Sequence, residues 1–112
     1  HSPDILIIAC GFDAAAFDPL GRMLATQETF RAMTGQVMDL AGDTCDGRLA
    51  MVHEGGYSEF HVPFCGHAVI AEMAGSSIDA PDPFAASLEL RQPSARFDAF
   101  VDELIAEMVD AL

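Results

Sequence analysis

The sequence contains no lysine and no tryptophan, and five arginines face 18 acidic residues. The formal net charge is −13. Because phosphate binding needs clustered Lys and Arg, this composition argues against a nucleic-acid-binding surface. An acidic surface suits a soluble protein as an ordinary solvated face, and it could also attract cationic substrates such as polyamines or lysine-rich tails.

Long apolar runs and closely spaced cysteines are also missing. The longest apolar stretch, residues 5–10, is far shorter than the roughly 18 residues of a membrane helix, and the start lacks the basic region of a signal peptide. Cys10, Cys45 and Cys65 form neither a zinc motif nor a C-x-x-C pair, which indicates reduced thiols in a cytoplasmic protein. Because His1 replaces an initiator methionine, we expect the natural N-terminus to lie elsewhere.

Residues 1–75 alternate between strand and helix patterns. Residues 4–10 form a short β-rich apolar run that is typical of a strand buried on both faces, and residues 48–53 form a second strand. The order strand, loop, helix, strand, loop, helix predicts a parallel α/β fold.

Local sequence signals mark where the two helices begin and end. Thr26 is placed to cap the first helix, which we expect to end at Gly42 before a turn over residues 43–47. Pro63 lies in the first turn of the second helix, and Gly75 ends it. The residues expected to face the core are Phe30, Met33, Val37, Met38 and Ala41 in the first helix and Val69, Ile70 and Met73 in the second.

The remaining residues follow different patterns. Residues 76–93 hold three prolines and are expected to cross the surface. Ser94 can cap a terminal amphipathic helix over residues 94–112 that we expect to pack on the domain, with docking to a partner helix as the alternative. Its apolar stripe consists of Phe97, Phe100, Val101, Leu104, Ile105, Met108, Val109 and Leu112.

Two residues whose side chains could take part in binding or catalysis follow the two strands. Asp13 could bind a metal, and Gly55 and Gly56 could aim the hydroxyl of Tyr57, the only tyrosine, at a ligand. Ligands bind at the carboxyl ends of parallel strands, so we expect both side chains at one crevice. Taken singly, Asp13 is better explained as a turn cap and Tyr57 as an aromatic anchor.

Three motifs together are more specific than either residue. GFDA at residues 11–14, DPLG at 18–21 and EGGY at 54–57 resemble the C-terminal motifs of the zinc-dependent histone deacetylase and acetylpolyamine amidohydrolase superfamily. The resemblance covers residues 3–75, and PFCGH at 63–67 is similar to bacterial members near class II. It implies part of a three-layer α/β/α domain of the arginase/deacetylase type, with a central parallel sheet to which this chain contributes two strands.

The resemblance also implies roles for individual residues. Asp13 takes the position of a Zn²⁺ ligand, and Tyr57 that of the hydrogen-bond donor to the carbonyl of an acetylated amine, either acetyl-lysine or acetylpolyamine. The residues placed along the substrate channel are Phe12, Leu20, Gly55 and Gly56.

Other parts of that family's site are missing from the sequence. The Asp-x-His motif with the other two zinc ligands does not occur, nor does the adjacent His-His pair that supplies the base and acid. All four histidines, His1, His53, His61 and His67, are isolated. We therefore interpret residues 1–112 as the C-terminal part of a deacetylase catalytic domain whose missing N-terminal part supplies these groups, so that this chain alone is inactive.

Alternatives remain open at this point. The chain could be a truncated remnant that acts only as a folding or interaction module, and exposed strand edges with the apolar terminal helix would favour a homo-oligomer. Nucleotide binding at the strand ends is opposed by the charge and by the lack of a phosphate-type glycine loop. We expect His53 and His67 to be packed or capping residues, Asp18 to organise its loop, and Cys10 and Cys65 to be buried small hydrophobes.

Overall fold

A computed structural model describes residues 2–111, which form two parallel strands and four helices. The strands are β1 (Leu6–Cys10) and β2 (Leu49–His53), and the helices are α1 (Gln27–Cys45), α2 (Val62–Ala74), α3 (Ala85–Glu89) and α4 (Ala95–Asp110). Leu6 pairs with Leu49 and Cys10 with His53. The predicted parallel α/β pattern of the first 75 residues is confirmed.

The two strands bury only one face. Ile8 and Met51 point toward a core that β1 and β2 share with α1 and α2. Its buried members are Cys10, Phe12, Ala15, Phe30, Cys65 and Val69. On the other face Ile7 is 67% exposed and Val52 is 48% exposed. The prediction that the first strand is buried on both faces is therefore wrong, because the part of the chain that the structure describes leaves one face open.

Helix α1 begins as predicted and ends later than predicted. Thr26 and Thr29 cap it reciprocally, since each side-chain oxygen accepts a hydrogen bond from the other residue's backbone N–H. The predicted end at Gly42 is wrong, and residues 43–45 form the last helical turn instead of a loop. A glycine inside a helix costs only about 1 kcal/mol. The helix ends where Asp46 adopts a left-handed conformation with φ 53° and donates its N–H to the Ala41 carbonyl.

The predicted core-facing residues are confirmed only in part. Phe30 and Val69 are buried, whereas Met33 is 44% exposed and Ile70 is 68% exposed. Met73 is also exposed, at 38%. Ile70 and Met73 instead border an open apolar groove of about 410 Å³ beside β2. These long side chains have no described neighbour to cover them on that side of the sheet.

The C-terminal third departs most from the predictions. Residues 76–93 do not merely cross the surface: they contain α3, which was too short to detect from periodicity, and Leu88 is fully buried there. Ser94 caps α4 as predicted, by accepting from the Phe97 N–H. However, no described residue of α4 is buried, so the prediction that its stripe packs on the domain is wrong. His1 and Leu112 lie outside the described residues.

None of the helices within residues 2–111 combines the length and apolarity that a membrane crossing requires.

Candidate functional site

The loops after β1 and β2 meet at the carboxyl edge of the sheet. The Glu54 N–H donates to the Cys10 carbonyl, with a nitrogen–oxygen distance of 3.4 Å, and the Phe12 N–H donates to the Gly55 carbonyl at 3.5 Å. The two loops thus continue the strand pairing for a few residues. They bring the segment that carries Asp13 against the segment that leads to Tyr57.

The Asp13 carboxylate lies between two glycines. A Cβ atom on Gly11 would lie 2.8 Å from Asp13 Oδ1, and one on Gly55 would lie 3.0 Å from Oδ2. The first distance is shorter than real Cβ contacts, and the second is tighter than nearly all of them, so a side chain at either position would force the Asp13 carboxylate to shift. Gly55 also has a φ of 63°, which disfavours other residues there. The glycines therefore leave room for this exposed carboxylate at the strand ends.

Asp18 joins the two loops. Its Oδ1 accepts the backbone N–H groups of Leu20 at 2.8 Å and Gly21 at 2.7 Å, and its Oδ2 accepts that of Tyr57 at 2.7 Å. Burial acts to raise the pKa of Asp18, but the N–H donors of Gly21, Tyr57 and Leu20 outweigh it and leave the pKa below its ordinary value. The prediction that Asp18 organises its loop is confirmed.

Of the four predicted channel residues Leu20 is exposed, Gly55 and Gly56 are half-buried and Phe12 is buried. Leu20 is 70% exposed and the Tyr57 side chain is 58% exposed. Gly56 has a φ of 97° and lies over the Cβ atom of Phe12. The Phe12 ring, in contrast, is buried and contacts Phe30 edge to face with ring centroids 5.0 Å apart. Phe12 thus supports the site from below.

The described residues fit one position of a metal site. Asp13 offers an exposed oxygen ligand of a type that zinc accepts. Within residues 2–111 no group of three or more His, Cys, Asp or Glu side chains could hold an ion together. The nearby His53 is engaged locally, because its Nε2 lies 2.9 Å from the Gly55 carbonyl oxygen and its ring packs on Phe12. The remaining ligands of such a site would have to come from outside these residues.

His53 therefore behaves as the predicted packed histidine. The Nδ1 atom of His67 is buried and has no hydrogen-bond partner among the described residues. Cys10 and Cys65 are buried as predicted. Burial, and then the charge of Asp82, raises the pKa of Cys65 to about 12, so this thiol is not a nucleophile at neutral pH.

One buried polar pair was not found from the sequence. His61 and Asp82 are both buried, and His61 Nε2 lies 3.1 Å from Asp82 Oδ2. The sequence shows His61 only as an isolated histidine, and 21 positions separate it from its partner. A short sequence motif cannot indicate a contact between residues that lie so far apart in the chain.

Comparison with known proteins places the chain among deacetylases. The family model described as "Histone deacetylase domain" matches residues 1–73. The chain is 48% identical over 106 residues to a "Histone deacetylase-like amidohydrolase" of Pseudomonas aeruginosa, covering 95% of this chain and 28% of that protein. It is 42% identical over 77 residues to "Histone deacetylase 6" of Caenorhabditis elegans, covering 69% and 8% of the two proteins.

A solved structure agrees with these matches. The crystal structure of the HDA15 HD domain superposes with a TM-score of 0.58 at 34% identity, over 80% of this chain and 24% of that one. The chain thus spans about a quarter or less of the length of these relatives.

Proposed function

This chain belongs to the histone deacetylase domain family, and we propose from this membership that the full-length protein hydrolyses an acetyl amide with a bound Zn²⁺ ion. The observation that carries the proposal is the meeting of the GFDA and EGGY loops at one sheet edge, with Asp18 bonded to the Tyr57 backbone. Both loops lie within the region that matches the family. The relative named an amidohydrolase supports the reaction class.

Asp13 is the proposed zinc ligand of this chain. The space that Gly11 and Gly55 leave around its carboxylate supports this role, because a ligand must keep an oxygen accessible. Bound zinc supplies a Lewis acid and lowers the pKa of a coordinated water. Asp13 contributes one of the usual three protein ligands, and the other two belong to the part of the protein outside this chain.

Tyr57 is the proposed hydrogen-bond donor to the amide carbonyl. Its side chain is exposed at the strand edge, and Asp18 accepts a hydrogen bond from its backbone N–H. Because the backbone is held in place, the hydroxyl can reach a substrate from a defined position. A positioned donor to a developing oxyanion contributes about 2.7–4 kcal/mol in comparable sites. A neutral phenol suits this role because it donates without adding a charge to the site.

The proposed channel wall uses the remaining predicted residues. Leu20 offers an exposed apolar surface for the acyl chain, and Gly55 and Gly56 leave room for it beside Tyr57. Phe12 supports Gly56 from the core. The acidic composition favours a cationic substrate, either acetyl-lysine or an acetylpolyamine, and does not favour nucleic acid.

The wider setting is also a proposal. We infer that the rest of the protein completes a three-layer α/β/α domain, and the exposed Ile7 and Val52 on the open face of the sheet support this. The division into residues 1–75, 76–93 and 94–112 remains a prediction. We further propose a cytoplasmic protein that does not act at membranes, which its three free buried cysteines support.

A second candidate is an inactive folding or interaction module. The exposed apolar side chains of α4, among them Phe97 and Phe100 at 53% each, favour it, and they would also favour a homo-oligomer. Activity of the full-length protein separates the two candidates.

The decisive experiment measures zinc-dependent acetate release by the full-length protein. Asp13→Ala and Tyr57→Phe should each reduce kcat/KM at least about 100-fold, as loss of an oxyanion donor does elsewhere. Asp43→Ala, which removes an exposed carboxylate of α1, is the matched control and should retain activity. Full activity in both site variants would overturn the proposal, and an inactive wild-type protein would favour the module.

A further inference from the structure

A segment beyond the family match lies against the two site loops. The family match ends at residue 73, and residues 80–92, here called the strap, follow it. The strap is anchored near both ends. Gln27 accepts the Asp82 N–H at 2.9 Å and donates to the Ala80 carbonyl at 3.0 Å, while Gln92 donates to the Leu24 carbonyl at 3.2 Å. These bonds fix where the strap crosses the loops.

The central contact of the strap is the buried pair His61–Asp82. The two side chains are 0% and 1% exposed. Burying such groups is unfavourable unless their hydrogen-bonding capacity is used. Here it is used, because Asp82 Oδ2 accepts from His61 while Asp82 Oδ1 accepts the Phe84 N–H at 2.8 Å. A pair satisfied in this way specifies one relative position of its two segments.

Aromatic rings extend this contact to the first loop. Phe17, Phe60 and Phe84 form a triangle with centroid separations of 5.1–5.6 Å, and the Phe17 ring meets His61 edge to face at 5.2 Å. Phe17 belongs to the loop between Asp13 and Asp18. The strap therefore contacts both loops through one cluster.

His61 connects this cluster to Tyr57. The backbone N–H of His61 donates to the backbone carbonyl of Ser58, the residue after Tyr57, at 3.1 Å. Ser58 is itself buried. On the other side of Tyr57, Asp18 binds the Tyr57 N–H. The backbone at Tyr57 is thus held from both directions, by Asp18 before it and by the turn that His61 closes after it.

We propose that His61 and Asp82 are positioning residues for Tyr57, and that the strap sets the geometry of the site through them. The inference rests on the proposed function, since it uses Tyr57 as the donor whose position matters. Neither residue touches the reacting atoms. Asp82 acts on His61, His61 acts on the turn at Ser58, and that turn carries Tyr57.

A double-mutant cycle in the full-length protein tests this chain of contacts. Asp82→Asn leaves either His61 or Phe84 without its acceptor, and it should lower kcat about 10- to 100-fold, as small misplacements of catalytic groups do. The KM and the bound zinc content should change little, because Asp13 is not part of the contact. In a Tyr57→Phe background the same change should lower kcat by less than about threefold, since the donor it positions is already gone.

The controls separate positioning from general stability. Asp79→Asn removes an exposed carboxylate just before the strap and should leave kcat unchanged. If Asp82→Asn does not fold, Phe84→Leu replaces it in the same cycle, because this change loosens the aromatic triangle and keeps the carboxylate.

The outcomes also distinguish the two proposals. Equal loss of kcat with and without the Tyr57 hydroxyl, or no loss at all, would overturn the strap proposal while the loss in Tyr57→Phe alone sustains the deacetylase proposal. Unchanged activity in Tyr57→Phe would instead overturn the strap proposal by removing its premise, while loss of activity in Asp13→Ala would still sustain the deacetylase proposal.

Discussion

Asp18 accepts the backbone N–H of Tyr57 at 2.7 Å, across 39 positions of sequence. The same carboxylate caps the turn at Leu20 and Gly21 through its other oxygen. One buried side chain therefore sets the distance between the loop that carries the proposed zinc ligand and the loop that carries the proposed donor. The positions of the DPLG and EGGY motifs depend on each other through this carboxylate.

Replacing Asp18 with Asn should weaken this link in a pH-dependent way. An amide oxygen can accept fewer N–H groups than a carboxylate, so we expect a lower melting temperature and roughly tenfold lower kcat near neutral pH, as for a displaced catalytic group. The pKa of Asp18 is lowered in the folded protein, so its stabilising effect is present above the ordinary value of ~3.9 and is lost as the pH falls through the lowered folded value.

The measurement is thermal unfolding of wild type and Asp18→Asn between neutral and acid pH. The difference in melting temperature should be constant at neutral pH and should shrink as the pH falls below ~4. A difference that grows on acidification would contradict the proposed hydrogen bonding of the carboxylate.

Gly55→Ala should disturb the Asp13 carboxylate. The new Cβ would lie 3.0 Å from Asp13 Oδ2, on a residue whose φ of 63° already disfavours alanine. We expect weaker zinc retention and at least about tenfold lower kcat/KM. Changes in the residues that surround a metal-binding side chain alter metal affinity by about 10- to 100-fold. Zinc content by atomic absorption, measured beside activity, checks both effects.

Gly42→Ala is the matched control, since it makes the same chemical change inside α1. No atom lies within 4 Å of the added Cβ, and the position is helical. We expect unchanged activity and a gain of about 0.5–1 kcal/mol in the free energy of unfolding. If Gly42→Ala lowered activity as much as Gly55→Ala, the effect would not report on Asp13.

Chelation should test the incomplete ligand set. Removing zinc from the full-length protein is expected to abolish acetate release, and returning Zn²⁺ should restore it. The 112-residue chain alone should bind Zn²⁺ weakly in calorimetric titration, because Asp13 supplies a single carboxylate and residues 2–111 contain no group of three ligands. Tight stoichiometric binding by this chain would contradict the assignment of Asp13 as one of several ligands.

Phe30→Ala should destabilise the core beneath the site. Phe30 is 4% exposed and supports Phe12, which lies under Gly56. We expect a loss of about 3–5 kcal/mol in the free energy of unfolding, measured by chemical denaturation. Met33→Ala, three residues later and 44% exposed, should cost much less. Similar losses in the two variants would contradict the helix orientation described above.

Local features could be predicted from the sequence. Apolar runs placed β1 and β2, Thr26 and Ser94 placed two helix starts, and paired glycines placed the turn before Tyr57. Each of these signals acts over a few neighbouring positions, where hydrogen bonds to adjacent backbone and limits on φ decide the conformation. The motifs also identified the family and the two residues proposed to carry the chemistry.

Features that depend on contacts between distant segments could not be predicted in this way. The end of α1 at Asp46, the burial of Leu88 and the exposure of Ile70 depend on which elements cover which surfaces. The bond from Asp18 to Tyr57 spans 39 positions, and the pair of His61 with Asp82 spans 21. Hydrogen bonds and ring contacts of that range leave no periodic trace in a sequence, because they form only after the strands and helices have brought their residues together.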